Sequence, residues 1–236
     1  MQADNEIIAK LKNASTATIT TVLLKKGLRN VWLRGAKPLK PGLPRLAGRA
    51  FTLRFVPARE DMATPASWAS PKSTRAAIEA MPEGCIAVVD AMGINDAGIF
   101  GDILCARMQK RNVAALVTDG VVRDVAGVSA SGLAVWCSGV AAPPSVAGLT
   151  FVDWQQTIGC GGVAIVPGDF IVLDADGVVV VPQDLAEDVA ALAVEQEQLE
   201  AWIMGEVEKG AVLPGLYPMN AETKARYDAA MTAAKT

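Results

Sequence analysis

The sequence predicts an α/β fold, and three observations carry that prediction. Strand-length apolar runs at 85–90, 113–118 and 133–138 alternate with segments of helical spacing. Between 150 and 182, four short apolar runs are separated by Pro167-Gly168-Asp169 and Asp174-Ala175-Asp176-Gly177, which have tight-turn chemistry, so the C-terminal half should be rich in β-structure. A long run at 184–209, built of Ala, Leu, Glu and Gln and stopped by Gly210, then reads as a single helix.

Taken in order, Ile7, Ile8 and Leu11, then Ile19, Val22 and Leu23, recur at helical spacing over 5–27 and stop at Gly27. Thr16-Ala17-Thr18 breaks that run and is expected to cap a second helix. Residues 28–45 hold Pro38, Pro41, Gly42 and Pro44 and read as loop, whereas 47–56 alternates as a strand with Thr52 and Arg54 on one face. Residues 57–72, with Pro57, Pro65 and Pro71, read as a long excursion, either a lid or a simple insertion. A helix at 75–80 precedes the strand at 85–90, and a Gly-rich turn leads to a helix over 101–111. After the strand at 113–118 come an Asp-Gly turn, a short helix near 124–131 and the strand at 133–138. The later strands fall at 151–154, 162–166, 170–174 and 178–181, and the tail from 213 is Pro-containing and then helical again. We read the whole as one domain in three stretches: N-terminal helices and loop (1–45), an α/β core (46–182) and a C-terminal helical arm (183–236).

The composition excludes several classes. A chain of 236 residues, 51% hydrophobic and 20% charged, can bury a full core and is not disordered. Its net charge of −3 and its scattered basic residues argue against nucleic-acid binding, and no apolar run reaches the length of a bilayer span. Cys85, Cys105, Cys137 and Cys160 are widely spaced without a C-x-x-C pair, so buried free thiols are expected. The opening Met-Gln-Ala-Asp-Asn-Glu has no basic or apolar leader region, so a cytoplasmic protein is expected.

The chain has no histidine, so its chemistry must run on carboxylates, Arg, backbone amides and water. That rules out Ser-His-Asp and Cys-His pairs. No Lys lies in an apolar strand, as a Schiff base would need, and neither a phosphate-cradling nor a dinucleotide glycine motif is present. What remains sits where two strands end. Gly101-Asp102-Ile103-Leu104 opens a helix, and Thr118-Asp119-Gly120-Val121-Val122-Arg123-Asp124 follows the next strand. Asp124 suits Mg²⁺ or Mn²⁺, which prefer oxygen ligands and keep several waters, and so leaves room for a chelating 2-oxo acid. Arg123 can then stabilise the enolate formed when the adjacent C–C bond breaks, and amides at 102–104 can seat the carboxylate. The same Arg-Asp pair also fits a capping Asp beside a surface Arg. Asp90, Asp96 and Asp119 read as turn or capping residues. Glu197 and Glu200, three apart, share a face of the long helix, either as solvated surface or packed on a neighbouring subunit.

These residues resemble the superfamily of regulator of ribonuclease activity A, which includes the 4-hydroxy-4-methyl-2-oxoglutarate / 4-carboxy-4-hydroxy-2-oxoadipate aldolases. Further matches are Ser15-Thr16-Ala17-Thr18, Ala47-Gly48-Arg49-Ala50-Phe51-Thr52, Cys160-Gly161-Gly162, Val166-Pro167-Gly168-Asp169, and Asp174 through Pro182, so that the likeness runs from about residue 15 to residue 210. The resemblance implies an α/β/α sandwich of the swivelling-domain type, assembled as homotrimers or pairs of trimers, with the C-terminal helix packing on a neighbouring subunit. It also implies a divalent-metal-dependent lyase that releases pyruvate from 4-hydroxy-2-oxo acids and decarboxylates oxaloacetate. Asp124 would bind the metal, Arg123 would contact the substrate carbonyl, and Asp102 would hold a water. Gly101, Ile103 and Leu104 would bind the carboxylate, and Glu200 or Glu197 would reach in from the adjacent subunit. The relatives usually carry an acid where this chain has Thr20-Thr21. With the distinctive segments 57–72 and 213–218, this points to a substrate unlike the dicarboxylic aldols. Other expectations on the same scaffold are a hydrolase or dehydratase of a sugar-derived keto-deoxy or diketo acid, and a non-catalytic ribonuclease-binding regulator.

Overall fold

The structure, a computed structural model, describes residues 2–233. Helices α1 (Gln2–Lys12) and α2 (Thr16–Lys25) open the chain. The expected cap lies one residue earlier than Thr16: the Ser15 hydroxyl accepts the Thr18 N–H at 3.0 Å, relieving an unpaired first-turn donor. Gly27, at φ +88°, lets the Leu28 N–H return to the Leu23 carbonyl and ends the helix.

Short β1 (Lys37–Pro38) precedes β2 (Leu46–Pro57), twelve residues long and the spine of the sheet. Helix α3 (Thr74–Ala80), β3 (Ile86–Asp90), α4 (Asp102–Lys110) and β4 (Ala115–Thr118) follow, then the two-residue β5 (Val121–Val122), α5 (Val125–Ala130), β6 (Val135–Cys137) and β7 (Gly139–Val140). The β-rich half supplies β8 (Leu149–Trp154), β9 (Ile158–Cys160), β10 (Val163–Ile165), β11 (Phe170–Asp174) and β12 (Gly177–Val181), before α6 (Ala186–Glu208) and α7 (Ala221–Ala233).

β2, β3, β4 and β6 run parallel, and β1, β11, β12 and β8 are added antiparallel, giving a mixed eight-stranded sheet ordered β1-β6-β4-β3-β2-β11-β12 with β8 also on β2. The sheet nearly closes. In the segment expected to be loop, the carbonyl of Val31 accepts from Val180, the N–H of Leu33 donates to Val178, and the N–H of Leu39 donates to Val135. Residues 31–39 thus cross from the β12 edge to the β6 edge. The excursion at 57–72 carries one short 3-10 turn, Pro65–Ala69, and β9 is a strand the sequence reading did not expect.

Strand alternation sorts the core. Ile86 and Val88, Ala115 and Val117, Ile171 and Leu173, and Val178 and Val180 point into the closed interior with Trp136. Ala87, Val89 and Leu116 face α3, α4 and α5, while Phe170, Val172, Val179 and Val181 face α1, α2 and α6. All four cysteines are buried and free. Burial pushes the thiols of Cys85 and Cys105 up to about 12 and raises those of Cys137 and Cys160 as well, so none offers a thiolate near neutral pH. Among the described residues no helix is long and apolar enough to cross a membrane.

Candidate active site

The carboxyl ends of β3 and β4 feed two backbone segments that run side by side. The Ile99 N–H donates to the Val121 carbonyl at 2.9 Å, and the Arg123 N–H donates to the Phe100 carbonyl at 3.0 Å. This pairing carries Gly101-Asp102 alongside Arg123-Asp124, which lie about twenty residues away in the chain. The two pairs line one cleft of about 220 Å³, together with Ile103 and Leu104.

The approach leaves no room for a Cβ at Gly98 or Gly127, and a Cβ at Gly101 would displace the Asp124 carboxylate. A Cβ on Gly101 would stand 2.4 Å from Asp124 Oδ2, one on Gly98 would stand 2.9 Å from the backbone N of Arg123, and one on Gly127 would stand 2.6 Å from Asp102 Cβ. These glycines let α4, α5 and the 98–101 segment converge on the acids.

Asp124 occupies the N-cap position of α5 at φ +53°, ψ +45°, a left-handed conformation that Asp tolerates better than most residues. Its carboxylate makes no capping bond; instead Oδ2 accepts from Arg123 Nε at 2.9 Å, and both side chains remain partly open to solvent. Among the described residues Oδ1 has no hydrogen-bond donor, which leaves an oxygen ligand facing the cleft beside the Asp102 carboxylate. Those donors fit a hard cation that retains waters, and no closed cage of three or more His, Cys, Asp or Glu side chains forms among the described residues. Asp102 sits in the first turn of α4, where the helix dipole favours an acid, and its Oδ1 accepts the Ile103 N–H at 2.7 Å. One of the amides expected to seat a carboxylate is therefore already engaged.

Glu197 and Glu200 lie on α6 and do not line the cleft of their own chain. Glu197 accepts the Ser15 N–H at 2.7 Å, and Glu200 accepts from Gln196 at 2.8 Å. Asp119 does serve a turn, but its reach is longer than expected: it accepts the amides of Ala91, Gly93 and Gly161. Burial raises its carboxyl above the usual range although those amides oppose the shift. Asp90 likewise accepts from Met92 and Gly159, so this acid pair stitches the ends of β3, β4 and β9 together.

Several residues of the cleft went unread in the sequence, and two of them, Trp68 and Arg75, bring new chemistry to it. Trp68, from the excursion, and Arg75, in the first turn of α3, line it together with the 98–101 segment. The one available signal was an Arg in a first turn, where the helix dipole opposes a cation.

The family model described as RraA-like, Aldolase/RraA, matches residues 16–180. A Halalkalibacterium halodurans protein named "Putative 4-hydroxy-4-methyl-2-oxoglutarate aldolase" is 31% identical over 197 residues, which are 83% of this chain and 86% of that protein. Protein DlpA of Legionella pneumophila is 28% identical over 207 residues; these are 88% of this chain but only 32% of DlpA, so the chain spans about a third of that relative. The crystal structure of Streptomyces coelicolor RraAS2, described as an unusual member of the RNase ES inhibitor RraA protein family, superposes with a TM-score of 0.76. It is 34% identical to this chain and covers 84% of it and 96% of that structure.

Proposed function

The chain belongs to the RraA-like family, and on that footing we propose that the Arg123–Asp124 cleft is the active site of a divalent-metal-dependent lyase. Its substrate is a 4-hydroxy-2-oxo acid, cleaved to pyruvate and a carbonyl compound, with oxaloacetate decarboxylation as a side activity. The observation that carries this reading is the glycine-enforced convergence of Asp102, Arg123 and Asp124 on one open cleft at two strand ends.

Asp124 would hold Mg²⁺ or Mn²⁺, which supplies Lewis-acid polarisation of the 2-oxo group when bound. In the reaction the C3–C4 bond breaks and its electron pair moves into the C2–C3–O system as an enolate. The guanidinium of Arg123 donates a hydrogen bond to the enolate oxygen as its charge grows. A water held at the Asp102 carboxylate takes the C4 hydroxyl proton as the bond breaks and returns a proton to C3 of the enolate. The amides at the start of α4 bind the substrate carboxylate, with Leu104 better placed than Ile103, whose N–H is engaged by Asp102.

We further propose assembly into homotrimers or pairs of trimers with a shared site. Ile103, 79% exposed at the cleft rim, and Val125, exposed at the start of α5, support a subunit covering this edge. Glu197 is committed to the α2 cap, which favours Glu200 as the residue reaching a neighbouring cleft.

The test is pyruvate release from oxaloacetate with Mg²⁺, with Mn²⁺ and with EDTA, followed by a coupled assay. Metal-dependent release is expected in the wild type and its loss in Asp124→Ala; activity that persists in that variant would refute the assignment. Arg123→Ala should lower kcat by about 10²–10³, the usual cost of an oxyanion donor. A second reading rests on the description of the S. coelicolor relative as an RNase inhibitor protein: a ribonuclease-binding regulator. No pyruvate with either metal, together with recovery of a stoichiometric ribonuclease partner, would move the assignment there. No pyruvate and no such partner would move it to a hydrolase or dehydratase of a keto-deoxy or diketo acid.

A further inference from the structure

Arg75 is a cation left without compensation. It lies in the first turn of α3, where the helix dipole disfavours positive charge. Its natural partner four residues on, Glu79, is taken: Arg107 grips both Glu79 carboxylate oxygens at 2.8 and 2.7 Å, and Arg111 adds a contact at 3.2 Å. Among the described residues no carboxylate pairs with Arg75. Its guanidinium instead stacks over the Trp68 ring, 4.8 Å from the centroid, and both side chains face the cleft that holds Arg123 and Asp124. A stacked guanidinium keeps its in-plane N–H donors free, in the fork geometry that suits a carboxylate. Arg123, by contrast, is already neutralised by Asp124.

We propose that Arg75, held over Trp68, is the specificity-determining residue for the part of the substrate beyond the pyruvoyl group, and that it selects a second carboxylate on the departing carbonyl fragment. This rests on the lyase reading for the chemistry at the other end of the cleft and adds a recognition element built by the 57–72 excursion. A distal carboxylate is what the dicarboxylic aldols carry, so this assignment runs against the expectation of a substrate unlike them; what differs is its seat, this stacked arginine.

The experiment separates the two claims by measuring binding without turnover. Isothermal titration of wild type and Arg75→Ala, both with Mg²⁺, compares 2-oxoglutarate with 2-oxopentanoate, which lacks the distal carboxylate. Wild type should prefer 2-oxoglutarate by about tenfold, the scale of one partly exposed charge-assisted hydrogen-bonded pair, and Arg75→Ala should bind both alike. Binding of 2-oxopentanoate should change less than about twofold in the variant, which also verifies that the cleft is intact. An equal preference in the wild type, or a preference that survives in Arg75→Ala, overturns the assignment. A wild type that shows the preference yet releases no pyruvate from any 2-oxo acid keeps the Arg75 assignment and removes the lyase reading.

Discussion

At the scale of single residues, the cleft is governed by what is absent as much as by what is present. Arg123 and Asp124 act as a pair because Gly98 and Gly101 contribute no side chain, and Asp102 packs on α5 because Gly127 is bare. Gly101→Ala would place a methyl 2.4 Å from Asp124 Oδ2 in backbone that is otherwise ordinary for alanine, φ −113°. The displaced group is one side chain rather than the core. We therefore expect thermal stability to fall by no more than about 1–3 kcal/mol while metal-dependent turnover is largely lost. A Gly101→Ala protein with wild-type kcat would show that Asp124 need not stand where it does. Asp124 itself illustrates how a local reading can mislead. In sequence it fits a helix cap, and it does occupy the cap position, but its carboxylate turns to Arg123 and the cleft instead.

At the scale of elements, α6 ties the N-terminal helices to the sheet. Its buried face, Val189, Ala190 and Ala193, packs with Ile19, Val22 and Leu23 of α2 against β11 and β12. Glu197 adds a polar clasp by accepting the Ser15 N–H at the head of α2. Partial burial alone would raise that carboxyl, but the Ser15 amide and the hydroxyls of Thr18 and Ser15 outweigh it and hold the group below its ordinary 4.5. A carboxyl lowered in the folded state stabilises the fold above its ordinary value, and the benefit disappears as pH falls through the lower, folded value. Glu197→Ala should therefore cost about 1 kcal/mol at pH 7 and progressively less toward pH 3. Urea midpoints at the two pH values check this, and a pH-independent difference would mean that the charge contributes nothing.

At the scale of the whole molecule, closure of the sheet places all four cysteines between packed layers. Cys105 and Cys160 are wholly inaccessible, and Cys85 and Cys137 are nearly so. Because burial also raises every thiol, native protein should resist a thiol reagent at pH 8. The four groups should react together, on the timescale of global opening, once denaturant is added. One thiol that reacts quickly in the native state would reveal a local opening the packed layers do not allow.

Most of the strands and helices between 73 and 182, though not the short β5, β7 and β9, were legible from sequence because periods of 2 and 3.6 are local properties of the chain. Hence β3, α4, β4, α5, β6, β11 and β12 lie within a residue or two of where the pattern places them. The sequence also places Gly101-Asp102 and Arg123-Asp124 beyond the ends of recognisable strands, but their side-by-side pairing rests on hydrogen bonds between distant segments, Ile99 to Val121 and Arg123 to Phe100. Tertiary structure alone decided the rest, since those features depend on partners far away in the chain. Residues 31–39 carry no strand pattern and become an edge only by meeting β12 and β6. Glu197 reads as a surface acid until the fold brings Ser15 to it from 182 residues away. Arg75 looks like any helix-surface cation until Arg107 and Arg111 take Glu79 from it and the excursion lays Trp68 beneath it. Sequence patterns report the neighbours a residue has along the chain. The charges left unpaired, and the cleft they face, are determined by which distant groups the closed sheet brings together.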